Sequence, residues 1–277
     1  MISCIICSRS SDISEELKKN IANTIGEEYE LIIIDNSQNK YSIFSAYNEG
    51  VRRSKGDILC FMHEDILYHT NNWGISVYKY FGEDKKLGLL GVSGGCYLPK
   101  IPCYWHISPF LVYKDHTESI NSYQKKSIFE VAACDGLWFC ISKNLFDHID
   151  FDEDLYFGFH YYDMDICMQV LFAQYKVCVC DFDIEHHADC RIDDSFYKNQ
   201  QLFFDKWNTY LPIYRGINES DLVLSHIENL LVHNYSNDLL IDKLMTEKQT
   251  IQNSLAYRIG KKILFPFSFV RNYIVRR

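Results

Sequence analysis

The chain has 277 residues, 47% of them hydrophobic, and a formal net charge of −9 from 28 basic and 37 acidic side chains. This length suffices for one large domain or two small ones with a core that needs no disulfides. The acidic balance argues against general nucleic-acid binding, because a basic surface supplies most of the affinity for a phosphate backbone. The charge is uneven, since residues 248–277 contain seven basic side chains and no acidic one. An acidic body therefore precedes a basic C-terminal tail.

The eleven cysteines are an odd number and lie within apolar runs, which indicates buried free thiols in a reducing compartment. The CxxC formed by Cys4 and Cys7 lacks the turn and the second pair that a zinc knuckle needs. The N-terminus shows no signal-peptide pattern, and no apolar run reaches the roughly 18 residues of a membrane span. The sequence predicts a cytoplasmic protein.

The first third of the chain alternates strand and helix signals. Strands are predicted at residues 1–7, 31–34 and 57–62, with helices at 13–25 and 42–54. Each strand ends in polar residues, namely Ser8-Arg9, Asp35-Asn36 and His63-Glu64-Asp65. This order is typical of a parallel, doubly wound α/β sheet, in which ligands bind beyond the carboxyl ends of the strands. We expect the three polar clusters to meet in one crevice.

The rest of the chain has a less regular pattern. Strands are predicted at 87–92, 129–141 and 177–180, a proline-containing loop at 99–114, and helices at 163–173, 221–232 and 237–259. The strand at 129–141 is interrupted by Asp135-Gly136. These signals predict an α/β domain over residues 1–215 and a C-terminal helical extension over 216–277.

No glycine-rich phosphate loop of the GxxxxGK[ST] or GxGxxG type is present. Phosphate binding would therefore need a metal ion, side chains or isolated amides. The cluster His63-Glu64-Asp65 follows a buried strand, where carboxylates are costly unless they are paired or bound to a cation. The other interpretation of this cluster is a solvated turn.

Two further clusters each allow both a functional and a structural interpretation. Asp163 and Asp165 stand at the start of a helix, where an acid either acts as a general base or complements the helix dipole. The pair His186-His187 follows a strand, and neutral imidazole is a good ligand for divalent transition metals. Such a pair is also common as a plain surface feature.

The order of these segments resembles that of family 2 glycosyltransferases. The strings that carry the resemblance are SCIICSRS, LIIIDNSQN, SAYNEGVRRSKGDILCFMHED, CDGLWFCIS, FDEDLYFGFHYYDMDICMQ and IEHH. The first three are similar to the family's first strand, its nucleotide loop and its block ending in D-x-D. The last three are similar to its acceptor-side D-G segment, its E-D helix start and its late histidine. The resemblance covers about residues 1–215 and is strongest to the bacterial branch of surface-polysaccharide assembly.

The resemblance implies a GT-A fold, with a mostly parallel central sheet flanked by helices. It also implies an inverting transfer of sugar from a nucleotide-diphosphate donor to a hydroxyl of a glycan or lipid-linked acceptor, assisted by Mn²⁺ or Mg²⁺. Carried onto this sequence, the nucleotide-sugar contacts are Ser8, Arg9, Asp35, Asn36, Asn48, His63 and Glu64. The metal ligands are Asp65 and His186, and the general base is Asp163. Asp135, Gly136 and Trp138 are expected near the acceptor.

Two positions depart from the family's pattern. His63 stands where D-x-D has its first Asp, and Tyr162 stands where E-D has its Glu. An alternative function is therefore a non-catalytic scaffold that binds nucleotide sugars with the same fold. A sugar-1-phosphate nucleotidyltransferase should carry a glycine-rich loop with Arg and Lys after its first strand, and CSRSSDIS is not such a loop.

The basic tail interleaves Leu, Phe, Ile and Tyr with cationic residues over 254–277. This pattern favours an interfacial segment attracted to anionic lipid, which would place the protein peripherally on the inner face of a membrane. The alternative is a basic helix packed on the acidic body or on a partner chain.

Overall fold

The computed structural model of the protein describes residues 1–102, 111–114, 119–120, 128–187 and 193–216, together with helical Lys243, Thr246, Lys248 and Gln249. The chain divides into two compact units, Met1–Ser225 and His226–Arg277. The predicted helix at 221–232 and the predicted membrane-facing segment 254–277 lie outside the described residues. Within the described part, no helix is long and apolar enough to cross a bilayer.

Fifteen strands and five α-helices are described in the first unit. The strands are β1 (Ile2–Ser8), β2 (Tyr29–Asp35), β3 (Ile58–Met62), β4 (Ile66–Tyr68), β5 (Leu87–Gly91), β6 (Gly94–Gly95), β7 (Tyr97–Leu98), β8 (Leu111–Lys114), β9 (Ser119–Ile120), β10 (Ile128–Val131), β11 (Ala133–Cys134), β12 (Trp138–Ser142), β13 (Lys176–Cys180), β14 (Ile184–His186) and β15 (Ile213–Tyr214). The helices are α1 (Glu15–Thr24), α2 (Ile43–Arg53), α3 (Trp73–Glu83), α4 (Tyr162–Phe172) and α5 (Asp194–Trp207), and a short 3₁₀ helix covers Lys143–Asp147.

Seven strands form the central sheet in the order β10-β13-β5-β12-β3-β1-β2. β1 is parallel to both β2 and β3, and β13 is parallel to β5. β12 lies antiparallel between β3 and β5, and β10 is antiparallel to β13. The predicted α/β class with a mostly parallel central sheet is confirmed.

Apolar side chains on both faces of this sheet pack against the helices and form two cores. Along β1, Ile5 points into a core shared with α2, α4 and α5, whereas Cys4 and Ile6 point into a second core shared with α1 and α3. This alternation follows from the two-residue period of a strand. The near-continuous apolar sequences of β1, β3 and β5 are explained by burial on both faces.

Helix α4 is held in place by the carboxylate of Asp165, which is 1% exposed. Its oxygens accept hydrogen bonds from the Tyr156 hydroxyl (2.9 Å), the Gln169 amide (2.7 Å) and the Trp207 indole N–H (2.8 Å). The ammonium group of Lys206 completes the set at 2.9 Å. A buried carboxylate is tolerated only when it is paired and hydrogen-bonded, so these contacts fix α4 against α5.

Three sequence-based predictions differ from the structure. The four consecutive aliphatic residues 31–34 predict a strand buried on both faces, whereas they belong to β2, which lies at the sheet edge and is only half-buried. The single strand predicted at 129–141 is divided into β10, β11 and β12, with β11 in a separate sheet. The loop predicted at 99–114 ends in strand β8. The edge position of β2 explains the first case, and pairing outside the main sheet explains the other two. Neither leaves a local sequence pattern.

Candidate active site

The polar ends of β1, β2 and β3 meet at one edge of the sheet, as the sequence predicts. The Ser8 hydroxyl donates to Oε2 of Glu64 at 2.5 Å, and Nε of Arg9 donates to Oε1 of the same carboxylate at 2.8 Å. The backbone N–H of Asn36 donates to the Ser8 carbonyl at 2.8 Å. Because these strands are parallel neighbours, their carboxyl ends form one crevice.

His63, Asp65 and His186 bring three potential ligand atoms together beside this crevice. The pairs are His63 Nδ1 to His186 Nε2 at 3.2 Å, His186 Nε2 to Asp65 Oδ1 at 3.5 Å, and His63 Nδ1 to Asp65 Oδ1 at 3.9 Å. A cation about 2.1 Å from each ligand atom needs ligand atoms about 3.0–3.4 Å apart. The triangle therefore fits a divalent ion with little adjustment.

Strand pairing explains why residues so distant in sequence meet here. β14 is antiparallel to β4 with His186 opposite Ile66, which places this imidazole next to Asp65. The backbone N–H of His187 donates to the Asp65 carbonyl at 3.0 Å and locks the pairing. The two short strands thus attach the late histidine to the loop that follows β3.

Two side chains of the triangle, His63 and Asp65, are in the protonation states that metal ligands need. Burial, reinforced by the neighbouring His186 ring, lowers the pKa of His63 to about 4, so the ring is neutral at neutral pH. The hydrogen bond with His186 lowers the pKa of Asp65 to about 2, so this carboxylate is ionised. Because the triangle contains a single carboxylate, a divalent ion held there would keep a net positive charge for binding phosphate oxygens.

Tyr162 orients the His63 ring from the first turn of α4. Its hydroxyl lies 2.9 Å from Nε2 of His63, which leaves Nδ1 facing the triangle. Partners of this kind fix the tautomer and direction of a metal-binding histidine. The Tyr162 hydroxyl fits because residue 136 is glycine, since a Cβ there would lie 2.1 Å from that oxygen. The two departures from the family's pattern are therefore hydrogen-bonded to each other.

Asp135 and Asp163 lie on either side of Gly136 but differ in access. Asp163 is 1% exposed, and its oxygens accept the N–H groups of Gly136 (3.2 Å) and Met164 (2.9 Å). Asp135 is half-buried and accepts the N–H of Leu137 at 2.8 Å. Burial raises the pKa of Asp135. The Leu137 carbonyl in turn accepts the N–H of His63 at 2.9 Å, which joins this loop to the metal triangle.

The structure thus places the two carboxylates differently. The buried carboxylate of Asp163 holds the Gly136 amide, and the role of general base that the resemblance gives it stays a prediction. Asp135 is the more exposed residue of the pair.

Two other residues of the expected site have structural contacts. Trp138 has no exposed surface and lies in the core with its ring 5.9 Å from Trp73 and 5.6 Å from Phe182. The Asn48 amide donates to the Phe151 carbonyl and to Glu153, both at 2.8 Å, and so fastens α2 to that segment. Core packing therefore accounts for Trp138, and Asn48 remains partly exposed.

Asp35 and Asn36 keep positions consistent with nucleotide binding. Asp35 is exposed, and hydrogen bonds from the side chain and backbone of Ser37 lower its pKa. The Asn36 amide both donates to and accepts from the backbone of Tyr41, which closes the loop after β2. The loop is thus shaped before any ligand arrives.

Comparisons with known proteins agree with this architecture. The profile described as "Glycosyltransferase like family" matches residues 2–207. A curated relative from Fuscovulum blasticum, described as ATP synthase subunits region ORF 6, is 22% identical over 189 residues, covering 66% of this chain and 73% of the relative.

Among solved structures, GalNAc-T7 crystallised with UDP, GalNAc and Mn²⁺ superposes with a TM-score of 0.51 and 13% identity, over 67% of this chain and 43% of that one. The match therefore spans less than half of the GalNAc-T7 chain. A197 from STIV superposes with a TM-score of 0.43 and 12% identity, over 78% of this chain and 95% of the other.

The central sheet and the superposition on GalNAc-T7 define a protein of the GT-A fold. The chain belongs to the glycosyltransferase-like family, whose profile covers most of the first unit. Family and fold together support a glycosyltransferase with a candidate divalent-metal site at His63, Asp65 and His186.

Two features of this site go beyond what the motifs predict. The resemblance assigns His63 to the nucleotide sugar, whereas its Nδ1 lies in the metal triangle. The motifs give no role to the Tyr162 hydroxyl, which lies within hydrogen-bond distance of this ring. The sequence signal for both is that the two positions depart together from the family's pattern.

We expect the triangle to bind Mn²⁺ or Co²⁺ more tightly than Mg²⁺, because imidazole nitrogen favours transition metals over magnesium. The substitution His186→Ala should weaken Mn²⁺ binding at least tenfold by isothermal titration calorimetry at pH 7.5. His187→Ala is the matched control, since this neighbouring side chain is 58% exposed and lies outside the triangle. Equal affinities for the two variants would contradict the assignment.

Proposed function

We propose that the protein is an inverting glycosyltransferase that moves a sugar from a nucleotide-diphosphate donor to a hydroxyl of a glycan or lipid-linked acceptor. The observation that carries the proposal is the triangle of His63, Asp65 and His186 at the carboxyl ends of the strands, in a chain of the glycosyltransferase-like family. The neighbour GalNAc-T7 was crystallised with UDP and Mn²⁺, which supports a nucleotide donor and a divalent ion here.

Each part of the crevice has a task in this proposal. His63, Asp65 and His186 would hold Mn²⁺ or Mg²⁺, which when bound neutralises charge on the leaving diphosphate. Ser8, Arg9, Asp35 and Asn36 would contact the base and ribose from the ends of β1 and β2. Their position beside the triangle allows one molecule to span both regions.

The Glu64 carboxylate holds Ser8 and Arg9, two of the proposed nucleotide contacts, in their present positions. It accepts hydrogen bonds from the Ser8 hydroxyl and from both the backbone N–H and Nε of Arg9. Arg9 is therefore ion-paired at the place where a phosphate or ribose would bind. A donor entering there would exchange an Arg9 contact with Glu64 for one with the ligand.

A donor screen tests the proposed function directly. Nucleotide sugars with uracil, guanine, thymine and cytosine bases are measured for thermal stabilisation of the full chain with and without Mn²⁺, since binding to the native state raises stability by mass action. We expect one donor to raise the melting temperature only with Mn²⁺ and to be slowly hydrolysed. His186→Ala should abolish both effects, and His187→Ala should retain them.

The outcomes of the screen separate three cases. Stabilisation with hydrolysis or transfer supports the enzyme. Stabilisation with no hydrolysis, and with no transfer across a panel of acceptors, would instead identify the non-catalytic scaffold. No stabilisation by any nucleotide sugar would contradict nucleotide-sugar binding altogether.

The proton acceptor in this mechanism is a carboxylate next to Gly136. We assign it to Asp135, because this residue is more exposed than Asp163, and its raised pKa favours proton transfer. Asp163 then acts as the positioning residue that holds the Gly136 amide. The assignment of the base to Asp163, which the family resemblance implies, stays a competing prediction.

Paired variants distinguish the two carboxylates. Asp135→Asn should lower kcat by about 10²–10⁴-fold, with an unchanged melting temperature and unchanged donor binding. Asp163→Asn should lower the melting temperature as well, because the two backbone N–H groups bond to different oxygens and an amide presents an NH2 group in place of one of them. Exposed Asp154→Asn serves as the control. If Asp163→Asn lost transfer at wild-type stability while Asp135→Asn kept the wild-type rate, Asp163 would be the base.

Membership of the bacterial surface-polysaccharide branch, which the sequence resemblance implies, would give the basic tail a role at the membrane. We propose that residues 254–277 attract the protein to anionic lipid, where a lipid-linked acceptor would be found. In vesicle co-sedimentation at low salt, the full chain should bind phosphatidylglycerol vesicles and a chain ending at Thr246 should bind at least tenfold less. Equal binding by the two chains would refute the membrane role and leave the glycosyltransferase proposal unaffected.

A further inference from the structure

Two phenylalanine side chains stand out to solvent from the aromatic run that precedes α4. Phe157 is 43% exposed and Phe159 is 47% exposed. In the same run, Tyr156, Tyr161 and Tyr162 are at most 3% exposed and belong to the core. The core thus accounts for the tyrosines of this segment, whereas the two phenylalanine rings lie outside it and are partly open to solvent.

The backbone that carries these rings is firmly held. The amide of Asn199, which has no exposed surface, donates to the carbonyls of Phe157 (2.6 Å) and His160 (2.8 Å). The carbonyl of Gly158 accepts the N–H of Ile43, at the start of α2, at 2.9 Å. Gly158 itself has φ +71°, a conformation that favours glycine. These hydrogen bonds fix the backbone from which the two phenylalanine rings extend.

Phe159 lies directly beside the metal triangle. Its ring centroid is 5.5 Å from that of His63 and 5.8 Å from that of Tyr162. In a nucleotide sugar the diphosphate carries the transferred sugar at one end and the ribose at the other, so these two rings, together with the acceptor that attacks the sugar, lie closest to a diphosphate-bound ion. The base is farther away, because the ribose separates it from the diphosphate.

We propose that Phe159, flanked by Phe157, is a stacking platform for a pyranose ring at the reaction centre. The proposal rests on the proposed function and adds the ligand chemistry of this surface. The apolar C–H face of a pyranose complements the negative face of an aromatic ring. One side of Phe157 is near Lys198, whose Nζ lies 5.8 Å from the ring centroid, so Phe159 provides the main contact.

Saturation-transfer-difference NMR with simple sugars tests the platform without any need for turnover. The probes are the methyl pyranosides of glucose, galactose, N-acetylglucosamine, N-acetylgalactosamine and rhamnose, each with and without magnesium UDP. At least one should receive saturation on its ring C–H protons. Phe159→Ala should reduce that signal at least fivefold, and Phe159→Trp should retain it. Ile75→Ala is the control, because Ile75 is also 47% exposed but lies on α3.

A second comparison identifies which sugar uses the platform. If Phe159→Ala weakens binding of UDP-sugars but not of UDP, the ring belongs to the donor; if it weakens only the methyl pyranosides, the ring belongs to the acceptor. Both results support the platform.

Three results would overturn it: no pyranoside binds the wild-type protein, Phe159→Ala binds as well as wild type, or this variant weakens UDP as much as UDP-sugars. Failure of the proposed function would show separately, as absence of donor hydrolysis and transfer.

Discussion

The hydrogen bond between the Tyr162 hydroxyl and Nε2 of His63 is the interaction on which the candidate site depends. It joins the first turn of α4 to the end of β3 and decides which ring nitrogen of His63 faces Asp65 and His186. Without it the ring could rotate about its side-chain bonds, and the three ligand atoms would not stay within reach of one ion. The bond matters because it is buried, where an unpaired hydroxyl or ring nitrogen would be costly.

Two separate parts of the fold keep this bond in place. The Asp165 carboxylate fixes the axis of α4 through Tyr156, Gln169, Lys206 and Trp207. The antiparallel strand β12 brings the glycine at position 136 beneath the Tyr162 ring, because Trp138 pairs with Met62 and the preceding residues pass the end of β3. The site is thus a meeting point of a helix, a parallel strand and an inserted antiparallel strand. The packing of these elements therefore sets the positions of the side chains in the site.

The parts of this arrangement that depend on local pattern could be predicted from the sequence. Apolar runs ending in polar residues predict parallel strands, and parallel strands bring Ser8, Asn36 and Glu64 to one edge whatever the rest of the chain does. His186 could be paired with Asp65 only through the order of the family's segments. Its actual attachment, β14 against β4, involves strands of three residues, which are too short to leave a periodic signal.

Side-chain access could not be predicted in the same way. Asp163 and Asp135 look equally suitable as acids near a turn, and only the approach of the Gly136 amide shows that Asp163 is enclosed. Trp138 begins a strand with apolar residues on both sides, so nothing local tells that its ring enters the core with Trp73. Burial in the aromatic run before α4 is equally hard to predict, since Tyr156 and Phe157 are adjacent and only Tyr156 is buried. Such differences arise from packing between distant segments.

The contact among His63, Tyr162 and Gly136 also bears on how this chain could diverge from its relatives. An Asp at position 63 is too short to reach the Tyr162 hydroxyl, and a Glu at position 162 is too short to reach Nε2 of His63, so either change would break the bond between them. A larger residue at 136 would displace Tyr162 in either case. Each single change would leave a polar group mismatched in a buried place, so the positions should be inherited as a set. Chains that share His63 should therefore share the tyrosine and the glycine, and this linked pattern would mark a lineage within the family.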